Sequence, residues 1–495
     1  MKIKFTFLTF FIFSLICSCK KESNNIKPEN LLFAKLGENA GIYDQSGRYI
    51  ILRGVNYNVL GDYWQANPTV ATQKQYEEND LKLMAGYGIN CIRLLFSWSK
   101  LEPVRGQYNQ QYIQEIKNVI EAAAEYNIYV LLDMHQDAYS KYIATPQSEV
   151  CEKPNKGWDG APEWATITDG FSTCTTDGSR ESAPAVVHAW QNLWDNKNGI
   201  QDACIKAWIA LVKQTANYPN VVCYDLINEQ SLGYEAINIQ ADKLGKFYSK
   251  LTKQIREAEN NSNGFNHIVF FEMSVTWNGQ PIPFIPFPDF TDDKNIIFAP
   301  HTYFEAISNQ LTIEQGFDLI KTLSKIYNTN MFVGEYGFFG NPSEDVIKLK
   351  RIAKKEDEYF SGSTWWQWSQ APGDPHGISW DGTQYGNTSM HLIELDKNGN
   401  FTGNINEIYL NVLGRTRPNS ICGKPIQLIS NPDDGKMILQ AKAAEEGITT
   451  LWIPDRFGLP QINGINIISS EIKPVNGGYQ SNVKVKDNYT IEVSF

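Results

Sequence analysis

Val221-Val222-Cys223-Tyr224-Asp225-Leu226-Ile227-Asn228-Glu229 is the stretch from which the fold is read. A mostly apolar run is followed at once by an amide and a carboxylate. Such a run lacks the polar alternation of a half-solvated strand and suits a parallel strand covered on both faces. The same signal recurs at Ile50–Val55, Ile89–Phe96, Ile128–Asp133, Ile268–Phe271, Ile296–Ala299, Met331–Gly334 and Gly362–Trp368. Between the runs lie stretches of helical period: Ile113, Ile116, Ile120 and Ala123, then Ile205, Trp208, Ile209 and Val212, then Leu244, Phe247, Leu251 and Ile255. Strands alternating with helices in this number predict an α/β fold, a (β/α)₈ TIM barrel, over residues 38–412.

Beyond about residue 410 the rhythm changes. Lys436–Ala441, Thr449–Ile453 and Tyr489–Phe495 alternate at period two, and turn formers such as Asn431-Pro432-Asp433-Asp434-Gly435 separate them. Residues 413–495 therefore read as a small C-terminal all-β sandwich, entered through Arg415-Thr416-Arg417-Pro418.

The other end carries a targeting signal. Lys2 and Lys4 precede an apolar run, Phe5 to Ile16, that is short for a membrane span. Ile16-Cys17-Ser18-Cys19 resembles the lipobox of bacterial lipoproteins. That resemblance implies a signal peptide over 1–18, a lipid on Cys19, membrane association through that anchor, and an extracytoplasmic place in the cell envelope. Residues 19–37 read as a polar tether.

The 495 residues carry a net charge of −11, which argues against a nucleic-acid partner. Their 24 Tyr, 25 Phe and 13 Trp exceed what many cores use, and such rings also line carbohydrate and lipid clefts. Cys151 and Cys174 bracket a long loop that a disulfide would restrain. Cys91 and Cys223 sit in apolar runs and read as buried thiols. No Cys or His spacing indicates a metal site, and no cofactor is implied.

Catalytic groups of a barrel lie at the C-terminal ends of its strands. There the sequence places Arg93, then Asp133-Met134-His135-Gln136-Asp137, Asn228-Glu229, His301-Thr302-Tyr303, Glu335 and the Trp-rich segment Trp365-Trp366-Gln367-Trp368. Glu229 and Glu335 close the fourth and seventh runs, on opposing walls of the mouth. Two glutamates so placed suit a retaining glycosidase, whose carboxyl groups stand about 5–5.5 Å apart. Glu335 is expected to be the nucleophile, kept ionised by Arg93 and Tyr303. Glu229 is expected to be the acid/base, with its pKa raised by burial and by its partner's charge. Asn228, His135, Asp137 and His301 are candidates to bind sugar hydroxyls, and Trp368 is the expected platform under the ring.

These residues resemble glycoside hydrolase family 5. Ile227-Asn228-Glu229, His301-Thr302-Tyr303 and Glu335-Tyr336-Gly337 carry the likeness, with Leu52-Arg53-Gly54-Val55-Asn56 and Ile89-Asn90-Cys91-Ile92-Arg93 fitting the first two strands. Asp133-Met134-His135-Gln136-Asp137 looks like the endoglycoceramidase branch. The resemblance implies a retaining endo-β-glycosidase that cleaves the glycan–ceramide bond of glycosphingolipids, with Glu229 as acid/base and Glu335 as nucleophile. Gln230 stands where the family usually has proline. Two other readings are a β-glucanase or β-mannanase acting on soluble polysaccharide, and a glycan-binding lipoprotein on an inactive barrel. The segment Trp277–Pro288 bears on the choice. Its prolines exclude helix, and Phe284, Ile285 and Phe287 are candidates for an apolar patch facing a ceramide tail or a membrane.

Overall fold

The computed structural model describes residues 31–279, 285–385 and 390–495. The expected signal peptide and Cys19 lie outside the described residues. The described chain opens with three short strands, β1 (Leu32–Lys35), β2 (Gly41–Asp44) and β3 (Tyr49–Ile50). Eight parallel strands follow: β4 (Arg53–Leu60), β5 (Cys91–Ser97), β6 (Tyr129–His135), β7 (Val221–Asp225), β8 (Ile268–Phe271), β9 (Ile296–Phe298), β10 (Phe332–Tyr336) and β11 (Gly362–Trp365). They pair in the order β10-β11-β4-β5-β6-β7-β8-β9, and a bridge between Phe298 and Met331 joins the two ends into a barrel.

Strand alternation decides which side chains enter the barrel. In β5, Ile92, Leu94 and Phe96 pack outward into the core shared with the helices, whereas Cys91 joins the cluster inside the barrel with Leu131, Cys223, Phe270 and Phe332. Arg93, two residues on, therefore points inward. Gly54 permits the close approach of β4 to β5, because a Cβ there would lie 2.1 Å from the Cys91 carbonyl oxygen. Outside, the helix Gln110–Glu125 starts at Asn109, whose side chain accepts from the Tyr112 amide at 3.1 Å. It buries Ile113, Ile116, Ile120 and Ala123, the stripe read from the sequence. Each buried isoleucine contributes about 1.5–3 kcal/mol.

After the hairpin of β12 (Ile393–Leu395) and β13 (Phe401–Ile405) come β14 (Arg417–Ile421), β15 (Lys424–Ser430), β16 (Met437–Lys442), β17 (Gly447–Pro454), β18 (Gln461–Val475) and β19 (Gly478–Ser494). One edge of β19 pairs with β17 along Gly478–Val485 and then with β16 along Asn488–Val493. Between the two stretches Asp487 has φ +53°. The antiparallel sheet thus divides into two wings over one core that includes Leu439, Leu451, Ile453, Val483 and Ile491.

Two sequence readings change here. Leu32–Lys35, expected in the tether, is a strand paired with β2. The run Ile50–Val55 divides, because Ile50 lies opposite Ser420 of β14 while Arg53 begins the barrel. An apolar run reports burial but not which sheet supplies the partners. The two units also meet through buried charge: Arg415 donates to Asp357 at 2.6 Å and to Glu356 at 3.0 Å.

Candidate active site

Arg93 is the centre of the barrel mouth. It is fully buried, and its guanidinium reaches the Asp225 carboxylate at 2.8 Å, Glu335 at 2.7 Å, Glu272 at 3.0 Å and Asp133 at 3.0 Å. It also donates to the side-chain oxygens of Asn56 at 3.0 Å and Asn228 at 2.9 Å. Asp133, Asp225 and Glu272 converge closely enough to hold a metal ion. The guanidinium supplies the positive charge for that ring of carboxylates.

Glu335 lies in β10. Its two oxygens are separately held, one by Arg93 and the other by the Tyr303 hydroxyl at 3.1 Å. Glu229 follows β7 at φ +36°, a backbone conformation that costs a side-chain-bearing residue free energy and recurs at functional sites. The amide of Glu229 donates to Glu272 Oε2 at 2.9 Å. Its carboxylate contacts His301 Nδ1 at 2.9 Å and Arg180 Nη2 at 3.0 Å. One oxygen each of Glu229 and Glu335 and a ring nitrogen of His301 lie within 4.8 Å of one another. Gly334 makes room for the imidazole, since a Cβ there would come within 2.8 Å of His301 Nε2.

The directions in which the pair's pKa values are shifted differ from the sequence expectation. Burial works to raise Glu229, but the hydrogen bond and charge of His301, with the charge of Arg180, hold it below the usual carboxylate range. Burial raises Glu335 against the opposing charges of His301 and Arg93. His301 is the larger influence on Glu229, and the contributor that the sequence reading did not foresee is Arg180. It reaches Glu229 from the loop after β6, about fifty residues away in sequence, where no strand-end pattern points to it.

Asp137 extends this wall. It accepts from Arg180 at 2.7 Å and meets His376 Nε2 at 2.8 Å, and His376 meets Asp374 at 2.7 Å. Burial opposes charge on His376, yet Asp374 and Asp137 push its pKa up to about 10. His135 contacts Asp133 at 2.8 Å, and despite burial Asp133 and its acidic neighbours push it up to about 9. Asn228, a candidate for sugar hydroxyls, spends much of its amide on the protein, accepting from Arg93 and donating to the Gln136 carbonyl at 2.9 Å.

Of the two tryptophans read as sharing a face, Trp366 and not Trp368 meets the residues of the site. Trp368 is fully buried in the main core, whereas the Trp366 ring stacks on His135 at 5.3 Å, lies 5.0 Å from His376 and shares a cluster with Tyr303. The sequence reading carried strand alternation through to Trp368, but β11 ends at Trp365. Trp365 packs outward against Tyr409.

The apolar loop after β8 is also revised. Phe284 lies outside the described residues. Ile285 packs on the barrel core, and Phe287, 52% exposed, borders a groove along the helix Ile237–Asn261. The Tyr327 hydroxyl donates to the Pro286 carbonyl at 2.6 Å and holds the segment down. The segment nonetheless opens in a short helix, Thr276–Gly279, ahead of its prolines, and proline content does not specify which way the later side chains turn.

Arg180, Glu272, His376 and Asn56 were missed. Glu272 had a signal, because it closes the run Ile268–Phe271. Arg180 and His376 stand in aperiodic loops. The Arg180 loop is restrained by a Cys151–Cys174 disulfide.

A family model described as Cellulase (glycosyl hydrolase family 5) matches residues 43–372. An endoglycoceramidase of Cyanea nozakii is 25% identical over 80% of this chain and 78% of that protein. Endoglycoceramidase I of Rhodococcus hoagii (strain 103S) is 26% identical over 87% and 82% respectively. Among solved structures, an endogalactoceramidase is 32% identical with a TM-score of 0.84, covering 92% of this chain and 99% of its own.

Proposed function

The chain belongs to glycosyl hydrolase family 5, and from that premise we propose that it releases intact glycans from glycosphingolipids by cutting the glycan–ceramide bond in a double displacement. The observation that carries the reading is the confrontation of Glu229 and Glu335, with oxygens within 4.8 Å. Glu335 Oε attacks the anomeric carbon while Glu229 gives its proton to the departing oxygen. Water then attacks the same carbon, its proton passes to Glu229, and the bond to Glu335 breaks. Arg93 and Tyr303 hold the oxygens of Glu335 in place for attack, and Trp366 supplies a ring under the sugar.

Both sides of the scissile bond support the substrate. A cavity of about 530 Å³ lined by Asp62, Tyr63, Trp64 and Lys141 gives the glycan room to extend, and Tyr63 lies 6.0 Å from His376. The leaving group must lie beside its proton donor. Tyr234, five residues past Glu229, is 61% exposed, and Phe171, in the Arg180 loop, is 47% exposed. His188 lies between them, 3.5 Å from the Phe171 ring and 5.0 Å from that of Tyr234. Apolar surface of this kind suits a lipid aglycone. The related proteins named above act in the same sense by their names.

Product analysis tests the reading. The protein is incubated with a ganglioside, a simple glycosylceramide and a panel of glucans and mannans. Release of intact glycan with ceramide supports it, and turnover of polysaccharide alone refutes it. The proposal extends to a lipid anchor at Cys19, supported by Ile16-Cys17-Ser18-Cys19. Mass spectrometry of the mature N-terminus should find an acylated Cys19, and a free N-terminus at another residue would remove the anchor.

A further inference from the structure

Arg180 stands where a leaving group must come. Its Nη2 lies 3.0 Å from Glu229 Oε2, its Nη1 2.7 Å from Asp137 Oδ1, and its Nε bonds Glu181. The guanidinium also lies over the Trp158 ring, 4.5 Å from the centroid, with Lys156 over the same ring at 4.4 Å. The side chain is 18% exposed, so it is at the lip of the cleft rather than in its floor. It arises from a short turn, Arg180–Ser182, tied by Ser182, whose hydroxyl donates to the Ser179 carbonyl and accepts from the Thr176 amide. Its contacts fall into two sets. Asp137, Glu181 and Trp158 form a seat that is complete without Glu229, and Glu229 is the one partner that chemistry requires elsewhere.

We infer that Arg180 and the aglycone take turns on Glu229, so that Arg180 is a positioning residue for both halves of the reaction. With a glycoside bound, the leaving oxygen takes the place beside Glu229, and Arg180 rests on Asp137, Glu181 and Trp158. With Arg180 withdrawn, the charge that favoured the carboxylate is further off, and Glu229 carries the proton it must donate. Once the aglycone has left, Arg180 returns, and its charge favours the carboxylate that must accept a proton from the attacking water. Among the described residues the charged and titratable groups facing Glu229 include His301, Glu335, Tyr303, the carboxylate of Glu272, Asp137 and Arg180. Arg180 is the member of this set that comes from an exposed loop. The inference rests on the acid/base reading of Glu229.

Arg180→Gln tests it through pH profiles, since the profile of kcat/KM reports the free enzyme and that of kcat the complex. On glycosylceramide, the alkaline limb of kcat/KM should move up by about one pH unit, because a cation within reach lowers a carboxyl pKa by about 1–3 units. The alkaline limb of kcat should stay in place, because Arg180 has already withdrawn in the complex. On an aryl glycoside with an activated leaving group, for which deglycosylation limits turnover, kcat at neutral pH should fall about tenfold. Arg180→Lys should restore part of each effect. Equal loss in kcat and kcat/KM with unshifted limbs would make Arg180 a structural residue and overturn the inference. Glu229→Ala, measured beside it, separates the two levels: normal turnover by that variant would refute the acid/base reading itself.

Discussion

Replacing Glu229 by alanine removes the proposed proton donor and also leaves two hydrogen-bond donors facing a void. His301 Nδ1 and Arg180 Nη2 now reach the carboxylate at 2.9 and 3.0 Å. Loss of general acid catalysis costs about 10²–10⁴ in rate, or about 2.7–5.4 kcal/mol of barrier. The full loss is expected on glycosylceramide, whose alcohol leaves poorly without a proton. An aryl glycoside with an activated leaving group should form its glycosyl-enzyme at a near-normal rate and then stall, because no base activates water. The vacated space is an anion site by construction, ringed by His301 and Arg180. Added azide should enter it, attack the glycosyl-enzyme and restore turnover of the aryl substrate as a β-glycosyl azide. Steady-state kinetics with and without azide, with the product's anomeric configuration read by NMR, check each part. Retention of more than about a tenth of wild-type kcat/KM on glycosylceramide, or an α-azide product, would refute the assignment.

Glu335→Gln should abolish turnover of every substrate class while near-UV circular dichroism stays unchanged, and azide should not rescue it. Trp366→Ala and Trp368→Ala, at 2% and 0% exposure, should each cost about 3–5 kcal/mol by urea unfolding, and Trp366→Ala should in addition impair catalysis beyond what Trp368→Ala does. Arg415→Met should lower unfolding free energy by about 3–5 kcal/mol, because Asp357 and Glu356 lose a buried partner. His376, with its pKa near 10 in the folded protein against about 6.5 unfolded, stabilises fully below pH 6.5 and loses that contribution as pH rises through about 10. The fall in stability across that window should flatten in His376→Gln, and an unchanged slope would deny His376 the role.

The strand-end reading reached Arg93, His135, Asp137, Asn228, Glu229, His301, Tyr303 and Glu335 because a parallel barrel forces such residues to follow an apolar run. In the structure, period-two alternation along β5 turns Arg93 into the barrel. At the last barrel strand alternation put Trp366 and Trp368 on one face and nearness to the strand end chose Trp368, but β11 ends at Trp365 and Trp368 turns into the core. Loop residues obey no period. Arg180 and His376 are placed by a disulfide, turn hydrogen bonds and ion pairs over long sequence separations, which a linear pattern does not encode. The shifts of the two glutamates run against the sequence expectation because His301 and, from a loop that the sequence could not seat, Arg180 lower Glu229, while burial raises Glu335. In the C-terminal unit the alternation of β16, β17 and β19 was legible, but recruitment of Leu32–Ile50 to the same sheet was not.

That recruitment sets an order of assembly. β3 pairs with β2 on one side and finds its other partner in β14, which leaves the ribosome after the whole barrel has been made. During synthesis the first strands therefore wait as an open edge, the kind of surface that invites pairing with another nascent chain. Molecules shortened at either terminus should share one defect, a sheet with its border unstitched, even though the cuts lie at opposite ends of the polypeptide.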